Sequence, residues 1–258
     1  MSIRERVRAG KLAPIGHFLQ SLAEDGQHRA IGVNPAGSGS EMPRPIERVR
    51  VLLADDHSLV AAGLRSMLDS KFDVVGIADN GRALVQAAEL LRPDVILLDI
   101  SMPELNGIDA ARKLRKLVPN AKLIFVTMHT DASFVREALR AGGSGYVTKQ
   151  SAPAELVTAV EEVLRGHTYL TPVVTRNFVD QTLTGPSSAA PAGELTPRQR
   201  EVLQLVAEGR SAKDIAESLG ISPKTVEFHK SNVLRSLGLR TTADLVKYAI
   251  RHGLVSAE

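Results

Sequence analysis

The sequence predicts a doubly wound α/β domain built on a five-stranded parallel sheet, followed by a small all-α domain of four helices. Over residues 47–168, short apolar runs alternate five times with helical stretches, which is the pattern of β-α units rather than of an antiparallel sandwich. Over residues 194–258 no strand signal appears, and helix starts follow one another closely. Between the two lies a stretch rich in Gly, Pro, Ser and Ala.

Residues 1–46 have weak periodicity and end in N-P-A-G-S-G-S-E-M-P-R-P, too little apolar surface to offset ordering entropy, so a disordered extension is expected. Met42 stands just before the first strand, which leaves a later start as the alternative to a functional tail. The strands are expected in V-R-V-L-L-A, D-V-V-G-I-A, D-V-I-L-L-D, K-L-I-F-V-T and G-Y-V-T, with helices over 58–70, 81–91, 106–117, 132–141 and 153–165. Runs such as V-I-L-L are apolar on both faces, as in strands covered by helices on each side. Residues 169–193 read as a linker: a short amphipathic piece, T-P-V-V-T-R-N-F-V-D-Q-T-L, and then the tether G-P-S-S-A-A-P-A-G. In the last domain, Thr196-Pro197 with Gln199 and Ser222-Pro223 are cap-plus-proline starts, and Ser211 with Asp214 and Thr241 with Asp244 add two more. Gly209, Gly220, Gly238 and Gly253 stand where these helices should stop.

The 258 residues include no cysteine, which excludes disulfides, thiolate zinc sites and thiol nucleophiles. Thirty-two basic against 29 acidic residues give a net charge of +3, which by itself identifies no nucleic-acid partner. Charged and polar residues such as Gln86, Glu89 and Arg92 interrupt every candidate membrane span, and no signal peptide is recognisable. A cytoplasmic protein with no membrane partner is expected.

Open α/β sheets bind ligands at the carboxyl ends of their strands. There strand one ends in Asp55-Asp56, strand three in Asp99, strand four in Thr127, and strand five just before Lys149. Each residue alone has a bland reading, as a cap, a β-former or a solvated cation; five converging on one edge do not. Three carboxylates make a hard-oxygen site suited to Mg2+. A carboxylate can also attack phosphorus, with a metal, an ammonium and a hydroxyl neutralising the charge. Asp99, closing the central strand, is the best nucleophile candidate.

The segments V-L-L-A-D-D-H, I-L-L-D-I-S-M-P-E-L-N-G, F-V-T-M and G-Y-V-T-K-Q resemble a response-regulator receiver domain, a flavodoxin-like fold. The resemblance implies that Asp99 accepts a phosphoryl group from a histidine kinase, and that Asp56, Asp99 and the Ser101 carbonyl bind Mg2+ with help from Asp55. It places Thr127 and Lys149 at the phosphoryl oxygens and Tyr146 at the family's switch aromatic. His57 and His129 lie near the pocket without the spacing of a histidine metal site, and His57 is expected simply to open the first helix.

In P-K-T-V-E-F-H-K-S-N-V-L-R-S-L-G, helical spacing puts Val226, Val233, Leu234 and Leu237 on one stripe and Lys224, Phe228, Ser231 and Arg235 on the other. An aromatic turned from the core among cations suits a helix entering a major groove, but spacing alone equally allows Phe228 to pack on a neighbouring helix. Ten Lys and Arg against eight Asp and Glu in residues 194–258 do not decide it. The segment from Leu195 to Gly238 resembles the LuxR-type helix-turn-helix, and the whole layout the NarL/FixJ class. By that resemblance Lys224, Thr225, Glu227, Phe228, His229, Ser231 and Asn232 lie along the recognition helix, and Arg235 joins the expected DNA-binding residues as a cation on the same outward face. Lys224 and Thr225 fall at phosphates and residues 227, 228 and 231 nearest the bases; some members have lysine where this chain has Glu227 and Ser231.

A phosphorylation-controlled transcription regulator is therefore expected, not an enzyme, binding promoter half-sites as a homodimer when phosphorylated. Unphosphorylated, its helical domain should lie against the receiver with the recognition helix unavailable. Two rival readings are a magnesium phosphatase that uses Asp99 and a receiver that only docks on proteins. The haloacid type of phosphatase requires a second aspartate two residues after the nucleophile, where Ser101 stands.

Overall fold

The computed structural model describes residues 48–184 and 195–255; the extension expected over 1–46 and the tether over 185–193 lie outside the described residues. The strands are β1 (Arg50–Ala54), β2 (Asp73–Ala78), β3 (Val95–Leu98), β4 (Lys122–Thr127), β5 (Gly145–Thr148) and β6 (Tyr169–Leu170), all parallel, in the order β2-β1-β3-β4-β5-β6. The helices between them are α1 (Ser58–Leu68), α2 (Gly81–Leu91), α3 (Gly107–Leu117), α4 (Ala132–Arg140) and α5 (Ala152–Leu164).

Strand periodicity explains the layering. Val51 and Leu53, Val95 and Leu97, Ile124 and Val126, and Val147 point to one face, where Leu64, Leu68, Leu156, Val160 and Val163 of α1 and α5 pack on them. Their alternates Leu52, Ile96, Leu98, Phe125 and Tyr146 are also buried, on the opposite face. Side chains with a period of two and no polar alternate are therefore sandwiched between helices, and polar groups are admitted only at the strand ends.

The sheet has one strand more than the sequence predicts. Tyr169 and Leu170 pair with Gly145 and Tyr146, a contact too short to leave an apolar run. The expected linker is also largely structured, since α6 spans Pro172–Thr184, with Val174 buried. The last domain comprises α7 (Pro197–Ala207), α8 (Ala212–Leu219), α9 (Pro223–Leu237) and α10 (Thr242–Arg251) around a core of Val202, Leu205, Ile215, Val226, Val233 and Leu245. Capping boxes open α7, α8 and α10; Ser222 caps α9, accepting from the Thr225 amide at 3.1 Å.

Candidate functional site

The carboxyl ends of β1 and β3 are neighbours, so Asp55, Asp56 and Asp99 meet there. With His57 they offer ligand atoms all within 4.8 Å of one another. Lys149, following β5, reaches across, its ammonium 2.8 Å from Asp55 Oδ2 and 2.7 Å from Asp99 Oδ2. Asp55 and Asp99 are both buried, so this ammonium is what makes two adjacent negative charges tolerable. Among the described residues, Asp55 Oδ2 has no partner besides the Lys149 ammonium at 2.8 Å. A buried carboxylate oxygen with an unused lone pair, beside two further carboxylates, fits a hard divalent cation.

Burial pushes the Asp55 carboxyl above its ordinary range, and the charge of Asp99 adds to this against the opposing pull of Lys149 and the His57 amide. For Lys149 burial works to lower the pKa, but the Asp99 charge and the contacts with both carboxylates outweigh it and raise it. The ammonium is accordingly held charged. His57 opens α1 as its N-cap residue, without a side-chain capping bond, and its Nδ1 lies 3.0 Å from Asp56.

A second layer surrounds these groups. Thr127 is buried at the end of β4 and its hydroxyl is 3.4 Å from the His129 amide. The Ser101 hydroxyl and His129 Nε2 are 2.9 Å apart, and His129 stacks on Phe134 with centroids separated by 4.1 Å. Tyr146 is fully buried and donates its phenolic hydrogen to the His129 carbonyl at 2.9 Å. Burial, then the charges of Asp99 and Asp131, push that phenol far up, so it remains a donor. His129, noted in the sequence only as a residue near the pocket without metal-site spacing, links Ser101, Tyr146 and Thr127.

In α9 the expected phase is observed. Val226 and Val233 are buried, and Lys224, Glu227, Ser231 and Arg235 are exposed. Phe228 is 63 % exposed and touches His229 edge-on at 5.9 Å, so it does not pack on a neighbouring helix. Thr225, His229 and Asn232 are half-buried, and the Thr225 hydroxyl is tied to Ser222 at 2.8 Å.

Residues 51–161 match the family of response regulator receiver domains, and residues 193–249 the luxR family of bacterial regulatory proteins. The transcriptional regulatory protein MctR of Rhizobium johnstonii is 37 % identical over 211 residues, covering 81 % of this chain and 96 % of that one. The chain is a two-component response regulator of the NarL/FixJ class. The response regulator UvrY of Escherichia coli is 32 % identical over 212 residues, 81 % of this chain and 97 % of that one. Among solved structures, the response regulator RcsB of Salmonella typhimurium is similar at a TM-score of 0.56 and 28 % identity, covering 79 % and 97 % of the two chains. An RcsB–DNA complex is similar at a TM-score of 0.50 and 28 % identity, covering 78 % and 97 %.

In this response regulator the two domains meet through α7, not through α9. Gln204, fully buried, accepts from the Asn106 amide at 2.8 Å and the Asn106 side chain at 3.2 Å, and donates to the Met102 carbonyl at 2.9 Å. Glu208 accepts from the Glu104 amide at 2.9 Å, Arg200 donates to Asp109 at 2.9 Å, and Lys113 meets Glu201 at 2.6 Å. Met102 to Asn106 is the loop leaving Asp99, and it is tight: a Cβ on Gly107 would fall 1.9 Å from the Asp99 carbonyl oxygen. At the far end of the domain, Gly253 lies against Phe134 and His129.

The expectation of an unavailable recognition helix is thereby corrected. The outward residues of α9 stay exposed, because the polar groups able to pair with the receiver loop lie on α7. Sequence reasoning missed these contacts, although one signal was present. Gln204 interrupts the apolar run Val202, Leu203, Leu205, Val206, and a buried amide there needs a partner outside its own helix.

Proposed function

We propose that this response regulator is a phosphorylation-controlled, sequence-specific transcription regulator working in the cytoplasm. Its phosphoacceptor is Asp99, which takes the phosphoryl group from a histidine kinase. An Asp99 oxygen forms the bond to phosphorus as the bond to the donor's phosphohistidine nitrogen breaks, and the electron pair returns to the donor imidazole. Asp55, Asp56, Asp99 and the Ser101 carbonyl hold Mg2+, which when bound neutralises charge on the transferring group. Lys149 and Thr127 contact the phosphoryl oxygens, and Tyr146 reports the change through His129.

The observation that carries this reading is the Lys149 ammonium shared by two buried carboxylates. Phosphorylation leaves about −1.5 to −2 charge on the modified side chain. That charge draws Lys149 away from Asp55 and withdraws the Asp99 oxygen that accepts from the Ile100 amide at 2.6 Å. The Ile100 amide begins the loop that Gln204 holds, so the modification loosens the domain contact. Since α9 is already exposed, control acts on orientation. A helical domain fixed on its receiver cannot pair its recognition helix with a second copy at half-site spacing, and a released one can. Lys224 and Thr225 then meet phosphates, Glu227, Phe228 and Ser231 face bases, and His229, Asn232 and Arg235 line the same helix.

The test incubates wild type and Asp99→Asn with a small phosphodonor and Mg2+, locates the added phosphoryl group by mass spectrometry, and selects bound sequences from random DNA. The expected result is modification at residue 99 alone and tighter selection by wild type. Modification elsewhere, or equal selection by both proteins, overturns the reading.

A further inference from the structure

A cleft of about 630 Å3 opens where α3 and α4 of the receiver face α7. Arg112, Lys113, Arg115 and Lys116 of α3 and Arg140 of α4 line it, and Pro197 and Glu201 of α7 close it. Only two carboxylates, Asp109 and Glu201, lie in its wall. Both are committed: Asp109 to Arg112 at 2.7 Å and Arg200 at 2.9 Å, Glu201 to Lys113 at 2.6 Å and Arg198 at 2.9 Å. Arg115 and Lys116 have no acidic partner among the described residues. Four cations within two turns of one helix make like-charge neighbours at i,i+3 and i,i+4, each an unfavourable pair. The dipoles of α3 and α4 favour cations in their last turns, where Arg115, Lys116 and Arg140 stand, and Arg140 is also paired with Glu137 at 3.4 Å, so Arg115 and Lys116 are the cations of the cleft left without a carboxylate.

Arg115 is also held in place. Its stem crosses Gly142, where φ is +105° and a Cβ would stand 2.9 Å from Arg115 Cδ and 3.2 Å from Nη1. A planar guanidinium laid over a residue without a side chain, unpaired and facing a cleft, offers two parallel N–H donors to the oxygens of a phosphate group. We propose that this cleft binds a small molecule carrying a pyrophosphate group, a nucleoside diphosphate by chemical class. Arg115 and Lys116 take the phosphates, with the Glu137-paired Arg140 beside them, and the base lies on Pro197, Ala141 and the faces of the guanidinium groups. The volume falls within the range of about 300–1,000 Å3 usual for such ligands. Because the wall belongs to both domains, the ligand ties α7 to α3 and favours the closed arrangement.

The test is calorimetric titration of the full chain carrying Asp99→Asn, in EDTA, so that the acidic pocket and Mg2+ take no phosphate. The ligands are guanosine diphosphate, adenosine diphosphate, inorganic pyrophosphate and orthophosphate. One nucleotide is expected to bind per chain, with pyrophosphate weaker and orthophosphate weakest. Arg115→Ala with Lys116→Ala, both exposed positions, should weaken nucleotide binding about tenfold or more. Lys71→Ala with Arg165→Ala removes the same charge on the α1–α5 side and should leave binding unchanged. No heat from any nucleotide at millimolar concentration overturns the proposal. Equal weakening by the two double variants, or DNA affinity lost through Arg115→Ala/Lys116→Ala with no nucleotide bound, also overturns it; the last outcome would assign the cleft to the DNA backbone.

Discussion

Replacing Gln204 by leucine removes the amide through which α7 grips the loop after Asp99 while keeping a side chain of similar size. Three hydrogen bonds to the receiver disappear, from the Asn106 amide, the Asn106 side chain and to the Met102 carbonyl. At about 0.5–1.5 kcal/mol each, together they amount to about 3 kcal/mol, roughly a hundredfold in the balance between closed and released domains. A full switch from 1:99 to 99:1 takes about 5.5 kcal/mol, so the substitution should carry the unphosphorylated protein about halfway. The chain has no cysteine, so Ala62→Cys and Ser236→Cys, at exposed positions, accept a fluorophore pair reporting the distance between domains. In an Asp99→Asn background, Gln204→Leu should shift the transfer efficiency toward separated domains and tighten binding to operator DNA without any phosphodonor. If both readouts match the Gln204 parent while the helical domain melts normally, Gln204 does not hold the domains together and the proposed route from Asp99 is wrong.

Gly253→Ala should also loosen the closed form: its Cβ would stand 2.5 Å from Phe134 Cε1 at a φ of +62°, a backbone region that costs a side chain about 1–2 kcal/mol, and thermal melting should show a lower midpoint. Glu201 gives the domain contact a pH dependence. Burial opposes its charge, but Lys113 and Arg198 outweigh burial and hold the carboxyl below its ordinary 4.5, so its contribution is present above that value and is lost as pH falls through the depressed one. The same fluorophore pair should therefore separate on acidification, and Glu201→Gln should remove that step. Mg2+ binding requires ionised Asp55, whose carboxyl is raised by burial, so calorimetry should show affinity lost on acidification at a pH above that of an ordinary aspartate, and Asp55→Asn should weaken it at neutral pH. On the DNA side, Phe228→Ala should cost about 1–3 kcal/mol at the matching base pair with an unchanged salt slope, whereas Lys224→Ala should lower the salt slope by about one.

The parallel sheet was legible because burial on both faces writes continuous apolar runs: K-L-I-F-V-T became β4 and G-Y-V-T became β5 at the expected positions. The acidic pocket was legible for a related reason, since polar residues closing such runs stand together wherever strands are parallel. Strand β6 was not, because two residues have no period. The phase of α9 followed from Val226 and Val233, yet exposure of Phe228 needed coordinates, since spacing gives a direction and not what lies in it. The domain contact was the least legible part. Gln204 and Asn106 are 98 residues apart and meet by hydrogen bonds, which leave no hydrophobic periodicity.

The strongest parts of the Gln204 grip on the receiver are main-chain atoms, the amide of Asn106 and the carbonyl of Met102. Peptide groups are the same whatever side chains they carry, so the receiver's half of this clasp is blind to drift in its own surface. A different output module fused here would need only a buried amide at the matching turn of its first helix to fall under the same command.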